Sequence, residues 1–207
     1  MIIAQINSSE YEYKNATLDS YAYDEEALKI KPVIEKYANR LYSMKEGRNL
    51  VLWSNGNGRG KDFLSYAILK KVREFDQPIW NRETEQFSPM GNVRTVAVNF
   101  TPLMKALKGF GDEEKKFQHL FYTCDYLAIN EMATSKNYAD DDELLDLFNH
   151  RIADFKPIII STNYSPEQFK NTFGQSIFSK LQSRTDFIEI PGTDKRPALK
   201  ELNDEKV

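Results

Sequence analysis

Apolar side chains recur along this chain in two alternating rhythms. Between Asp24 and Gly47, Leu28, Val33, Ile34, Tyr37, Leu41 and Tyr42 fall at helical intervals, and Pro32 either kinks that helix or marks its first turn. Asn49 to Trp53 is a short apolar run of strand type, followed by the glycine-studded Ser54 to Lys61 and a helical pattern carried by Phe63, Ala67, Ile68, Val72 and Phe75. Val93 to Asn99 alternates as a strand, Thr101-Pro102 opens a helix through Leu107, Gly109 and Gly111 break it, and a second helix runs from Glu113 to Tyr122. Tyr126 to Ile129 and Pro157 to Ser161 read as strands around a helix that opens at Ala139 to Glu143 and carries Leu144, Leu147, Phe148 and Ile152. Helices beginning at Ser165 and at Gln175 precede a last strand, Phe187 to Ile190. Strands that alternate with helices predict an α/β sandwich with a largely parallel sheet.

The flanks differ from this pattern. Residues 1–23 are polar and rich in tyrosine, with Tyr11, Tyr13, Tyr21 and Tyr23 set among carboxylates, and are expected to form an arm packed against the domain. The domain proper spans 24–196, interrupted at 76–92 by an insertion longer than most loops in compact folds, and 197–207 is a polar tail. Trp80, Arg82 and Phe87 in the insertion are either an anchor for a partner or a loop folded over the domain's own edge.

Composition narrows the chemistry. With 207 residues and 41% hydrophobic side chains the chain supports one substantial core. Its 28 basic and 31 acidic residues leave a net charge of −3, so bulk attraction to nucleic acid is excluded and any such contact needs a local patch. Lys105, Lys108, Lys115 and Lys116 could line a single-strand groove, although a solvated helix face is the default. One cysteine, Cys124, rules out an internal disulfide, and His119 and His150 do not complete a structural zinc site. No apolar run is long enough to cross a bilayer and the amino terminus has no signal-like stretch, so a cytoplasmic protein without membrane contact is expected.

The most informative segment is Asn55-Gly56-Asn57-Gly58-Arg59-Gly60-Lys61-Asp62. A strand that feeds a helix through a glycine-rich turn aims backbone N–H groups and a helix dipole at one point, and Lys61 adds a full positive charge. Compared with the phosphate-loop pattern G-x-x-x-x-G-K-[ST], Gly60 and Lys61 are kept. Asn55 replaces the first glycine, and asparagine tolerates left-handed backbone angles. Asp62 replaces the hydroxyl that normally meets magnesium, which places like charge beside phosphate unless a metal sits between. The strand from Tyr126 ends in Asn130-Glu131, where Glu131 is suited to orient a water while Asn130 is a weaker magnesium ligand than aspartate. The carboxylate missing at 130 reappears at 62, so Asp62 is a candidate magnesium ligand from the other wall, with Asn130 beside it.

With these residues the chain resembles the AAA+ domain of bacterial replicative-helicase loaders of the DnaC and DnaI type, and more distantly the IstB-like transposition ATPases, from about Tyr13 to Arg196. Lys14 to Leu18 is similar to the segment before the first helix of that domain, Asn49 to Lys61 to its phosphate loop, and Asp125 to Glu131 to its Walker B strand. Leu147 to Ile152 followed by Lys156 to Ser165 resembles the family's arginine-bearing helix and the strand that ends in the sensor asparagine. The resemblance implies a three-layer α/β/α P-loop domain with a five-stranded, largely parallel sheet. It implies catalytic roles for Glu131, Asn163, Arg151 and, as a weakened trans-acting finger, Lys180. It also implies nucleotide contacts from the loop and from Arg196, which closes the Gly192 to Arg196 segment.

The departures at 55, 62, 130 and 180 all fall at positions concerned with nucleotide chemistry, while the scaffold is kept. The resulting expectation is a replication accessory protein that binds ATP or ADP with magnesium feebly, turns it over weakly or not at all, and acts on a replicative helicase, another replication protein or single-stranded DNA. Homo-oligomer formation is what the resemblance adds. The alternatives are an active ATPase with a rebuilt magnesium site and a nucleotide-free adaptor. A reduced chain of this kind suits a phage or mobile element.

Overall fold

In a computed structural model, residues 12–74, 79–81, 86–88, 93–132, 138 and 141–196 are described. After a 3-10 turn at Ala27–Lys29 come α1 (Lys31–Ala38), α2 (Arg40–Glu46), β1 (Asn49–Trp53), α3 (Lys61–Glu74), β2 (Ile79–Asn81), β3 (Gln86–Ser88) and β4 (Thr95–Asn99). They are followed by α4 (Phe100–Leu107), α5 (Asp112–Thr123), β5 (Tyr126–Asn130), α6 (Asp142–Ala153), β6 (Ile158–Thr162), α7 (Pro166–Gln182) and β7 (Thr185–Glu189). No helix among the described residues is long and apolar enough to cross a membrane.

Five strands form one sheet in the order β4-β5-β6-β1-β7, every pairing parallel, as in Leu50 opposite Ile159 and Val51 opposite Ile160. Strand residues are apolar on both faces, which a parallel sheet covered on both sides requires. Val51, Leu127, Ile129, Ile158 and Ile160 pack under α4, α5, α6 and α7, whereas Leu50, Leu52, Ala128, Ile159 and Ile188 pack under α1 and α3. The result is the three-layer α/β/α sandwich with a five-stranded parallel sheet.

The segment before α1 is built into the second layer. Ala16, Leu18 and Tyr21 are buried there, and Tyr13 stacks on Tyr66 with ring centroids 4.8 Å apart. Helix starts follow local chemistry: Asp141 caps α6 by accepting from the Leu144 N–H, and Ser165 with Gln168 forms a reciprocal capping box on α7.

Three local expectations are corrected. The helix expected between Asp24 and Gly47 is broken at Asn39, whose ψ of 104° is extended, and Pro32 lies in the first turn of α1. Leu28 and Val33 follow the helical spacing yet are 52% and 42% exposed, while Ile34, Tyr37 and Ala38 of α1 turn their side chains into the core. The insertion carries an antiparallel hairpin, with Trp80 opposite Phe87 in register, instead of being loop throughout. Arg82 lies outside the described residues.

Arg151 is also displaced from its expected role. It is fully buried on α6, and its guanidinium donates to the carbonyls of Phe121 at 2.7 Å, Cys124 at 3.0 Å and Pro157 at 3.0 Å. These carbonyls lie just before β5 and β6, at the amino-terminal edge of the sheet. Glu131 and Asn163 lie at the carboxyl edge, a strand length of roughly 17 Å away. Arg151 therefore ties α5, α6 and two strand entrances together and does not reach the carboxyl edge. Replacing it with methionine strands three buried carbonyls, so Arg151→Met is expected to lower unfolding free energy by about 3 kcal/mol or more. A urea titration checks this, and a loss below about 1 kcal/mol would contradict the assignment.

Candidate functional site

Parallel strands bring their carboxyl ends to one edge, where connecting loops leave concave space. Here that edge holds a cleft of about 810 Å3. It is lined by the loop from Asn57 to Asp62, by Glu131 after β5, by Ser161, Thr162 and Asn163 at the end of β6, by Arg196, and by Glu12, Tyr13 and Ala16 of the leading segment. Of the expected site residues, Asn57, Gly58, Arg59, Gly60, Lys61, Asp62, Glu131, Asn163 and Arg196 converge here.

The loop adopts its shape through glycine. Gly58 has φ 73° and Gly60 has φ 79°, angles that side chains with a Cβ rarely adopt. A Cβ on Gly60 would strike the Tyr21 ring, and one on Gly58 would strike the Asp194 carboxylate and the Arg196 guanidinium. Asn55, expected to supply a left-handed angle, does not have a positive φ; the turn is made farther along, and Asn55 is exposed and away from the cleft lining. Gly56 is a neighbour of the Arg59 side chain and does not line the cleft either.

Distant segments lock the loop in place. The Tyr21 hydroxyl donates to the Arg59 carbonyl at 2.7 Å, and the Lys195 N–H donates to the Gly58 carbonyl at 2.7 Å. The Lys195 ammonium, only 6% exposed, pairs with Asp24 at 2.5 Å and holds that carboxyl below the usual aspartate range. The Asn163 amide donates to the Asn57 side-chain oxygen at 2.8 Å, joining the end of β6 to the loop.

Lys61 is buried at the start of α3, its ammonium donating to Ser54 Oγ at 2.8 Å and to the Gly56 carbonyl at 3.2 Å. Burial pushes its pKa down, Arg59 pushes the same way, and Asp62 opposes both. The first N–H groups of α3 have no partner within the helix, so this corner is an anion-attracting pole. Asp62 faces it. Ser161 Oγ donates to the Asp62 carboxylate and accepts the Glu131 N–H at 3.0 Å. Burial raises the Asp62 pKa against the Ser161 hydrogen bond and Lys61. Glu131 has φ 54°, its carboxylate accepts from the Asn99 amide at 3.0 Å, and burial raises its pKa with help from Asp62 and Glu12.

Two further expected residues stand apart. Lys180 is exposed on α7, beyond the Gly174 break (φ 84°), and is not part of the cleft lining. Asn130 is 1% exposed, and neither atom of its side-chain amide has a hydrogen-bond partner. No group of three histidine, cysteine or carboxylate side chains suited to a metal occurs among the described residues. Sequence reasoning missed Ser161 and Asn99, which hold Asp62 and Glu131. Both are polar residues at the carboxyl ends of parallel strands, and that position was the readable signal. It also missed Asp194 and Asp24, whose roles depend on contacts across more than a hundred residues.

No protein-family model and no curated protein matches the chain. Solved structures share its fold. The DnaC helicase loader matches at a TM-score of 0.66 and 21% identity, covering 86% of this chain and 98% of that one. DnaI matches at 0.68 and 17% identity, covering 90% and 93%. The replication initiator DnaA bound to AMPPCP and single-stranded DNA matches at 0.63 and 15% identity, covering 93% of this chain and 56% of that one. The architecture is thus a DnaC-like AAA+ fold.

Because the Asp194 carboxylate packs directly over Gly58, Gly58→Ala combines backbone strain with a collision. It is expected to cost about 1–3 kcal/mol and to loosen residues 192–196. Urea unfolding combined with limited proteolysis checks both effects; wild-type stability with an unchanged cleavage pattern would refute this packing.

Proposed function

We propose that the cleft binds ATP or ADP with magnesium and that the chain is a DNA-replication accessory protein of the helicase-loader kind. It acts on a replicative helicase, another replication protein or single-stranded DNA, with weak or absent hydrolysis. The observation that carries this reading is the convergence of Lys61, Glu131 and Asn163 on one cleft at the strand–loop–helix corner. The AAA+ folds that the chain resembles include one solved with AMPPCP and single-stranded DNA.

In this reading the N–H groups at the start of α3 and Lys61 hold phosphate, after the ammonium leaves Ser54 and the Gly56 carbonyl. Asn163 orients the distal phosphate or an attacking water from the end of β6. Arg196 adds charge from beside Gly58. Asp62 fits as a magnesium ligand, since it lines the cleft; Asn130 does not, being sealed and outside the cleft lining. When bound, the metal supplies charge neutralisation between Asp62 and the phosphates. Weak turnover follows from the single acid, Glu131, at the end of β5 and from the carboxylate at 62. Lys180, if two copies associate, presents a point charge in place of an arginine fork.

A ligand that binds the native state at a hundred times its Kd stabilises by about 2.7 kcal/mol. For a chain of this size that raises the melting midpoint by roughly 5–10 °C. A shift in that range is expected with ADP or ATP and magnesium, with little phosphate release, and Lys61→Ala is expected to abolish it. A shift retained in Lys61→Ala would place the ligand elsewhere.

A further inference from the structure

The charges around the cleft are unevenly arranged. Lys61, Arg59 and Arg196 are its cations, and Asp62, Glu131 and Glu12 are its anions. All three cations are engaged, Lys61 by Ser54 Oγ and the Gly56 carbonyl. The Arg196 guanidinium pairs with Asp194 through Nε at 3.1 Å, and Arg59 reaches the Ile190 carbonyl at 3.4 Å. Asp62, in contrast, is held at the cleft floor. Ser161 donates to it, and Ser161 is itself fixed by accepting the Glu131 N–H, so the carboxylate cannot simply turn away. Glu131 is steadied beside it by the Asn99 amide.

In a strand–loop–helix cradle the loop amides hold the first two phosphates, the lysine reaches the second and third, and the residue after the lysine sits where metal meets the distal phosphates. Asp62 occupies that last position. The first two phosphates of a nucleotide therefore meet amides, helix dipole and Lys61, whereas a third phosphate arrives beside a fixed carboxylate with Glu131 and Glu12 close by. Like charges at a few ångströms in a partly desolvated cleft repel far more strongly than in bulk water.

Resting on the nucleotide reading above, we propose that without a divalent cation this cleft selects a nucleoside diphosphate over a triphosphate, and that Asp62 sets the preference. A cation placed between Asp62 and the third phosphate removes the penalty, so metal converts a diphosphate-selective cleft into one that accepts both. Asp62 is thereby a specificity-determining residue. Its effect is one of charge, because asparagine has the same shape and still accepts from Ser161.

The test is calorimetric titration of the full chain with ADP and with AMPPCP, whose methylene bridge prevents hydrolysis, in EDTA and in millimolar magnesium. In EDTA, ADP is expected to bind at least about tenfold more tightly than AMPPCP. The ratio is expected to fall below about threefold on adding magnesium, and also in EDTA for Asp62→Asn and Asp62→Ser. Equal affinities for wild type in EDTA, or a ratio that neither substitution changes, would overturn the inference while leaving nucleotide binding intact. Failure of both ligands to bind, with and without magnesium, would overturn the nucleotide reading and the selectivity with it.

Discussion

The cleft depends on a close approach that only glycine permits. Between β1 and α3 the chain passes under the Tyr21 ring at Gly60 and under the Asp194 carboxylate at Gly58, both with positive φ. Because no Cβ intervenes, the leading segment and the segment after β7 pack on the loop directly. Their hydrogen bonds, from Tyr21 to the Arg59 carbonyl and from Lys195 to the Gly58 carbonyl, hold it from both sides. The sheet supplies the rest of the constraint. With both faces covered, its polar strand ends collect at the edges, and the carboxyl edge becomes the place where Asn99, Glu131, Ser161 and Asn163 meet the loop.

On the proposed reading, this arrangement keeps the parts of the fold that would form a phosphate cradle and alters the parts that would manage its charge. The helix start, Lys61 and Asn163 attract an anion; Asp62 and Glu131 resist one. Ser161 links the Asp62 carboxylate to the Glu131 backbone through one hydroxyl, so the position of one is tied to the other. On this view the departure at residue 62 is a change in what the corner accepts, rather than simple decay of a motif.

Much of the architecture was legible because burial imposes periodicity. The sheet strands announce themselves as short apolar or alternating runs, and the corner at Asn55 to Asp62 as glycine before a helix. The break at Asn39 was not legible, since the apolar spacing runs from Ile34 and Tyr37 on to Leu41 and Tyr42 with no glycine or proline between them. Arg151 was misplaced for a different reason. Resemblance assigned it to nucleotide chemistry, yet its spacing from Leu144, Leu147 and Phe148 puts it on the buried face of α6, where a guanidinium serves backbone carbonyls. The partners of Asp62, Gly58 and Lys195 are far away in sequence, and local pattern carries no trace of them.

The central claim is that a nucleotide lodges at the junction of the loop and α3. Hydrogen–deuterium exchange of the intact chain, with and without ADP and magnesium, tests it most directly. The account predicts slowed exchange confined to residues 57–64, 131 and 161–163. Unchanged exchange there, or protection that appears only on another face of the sheet, would contradict it.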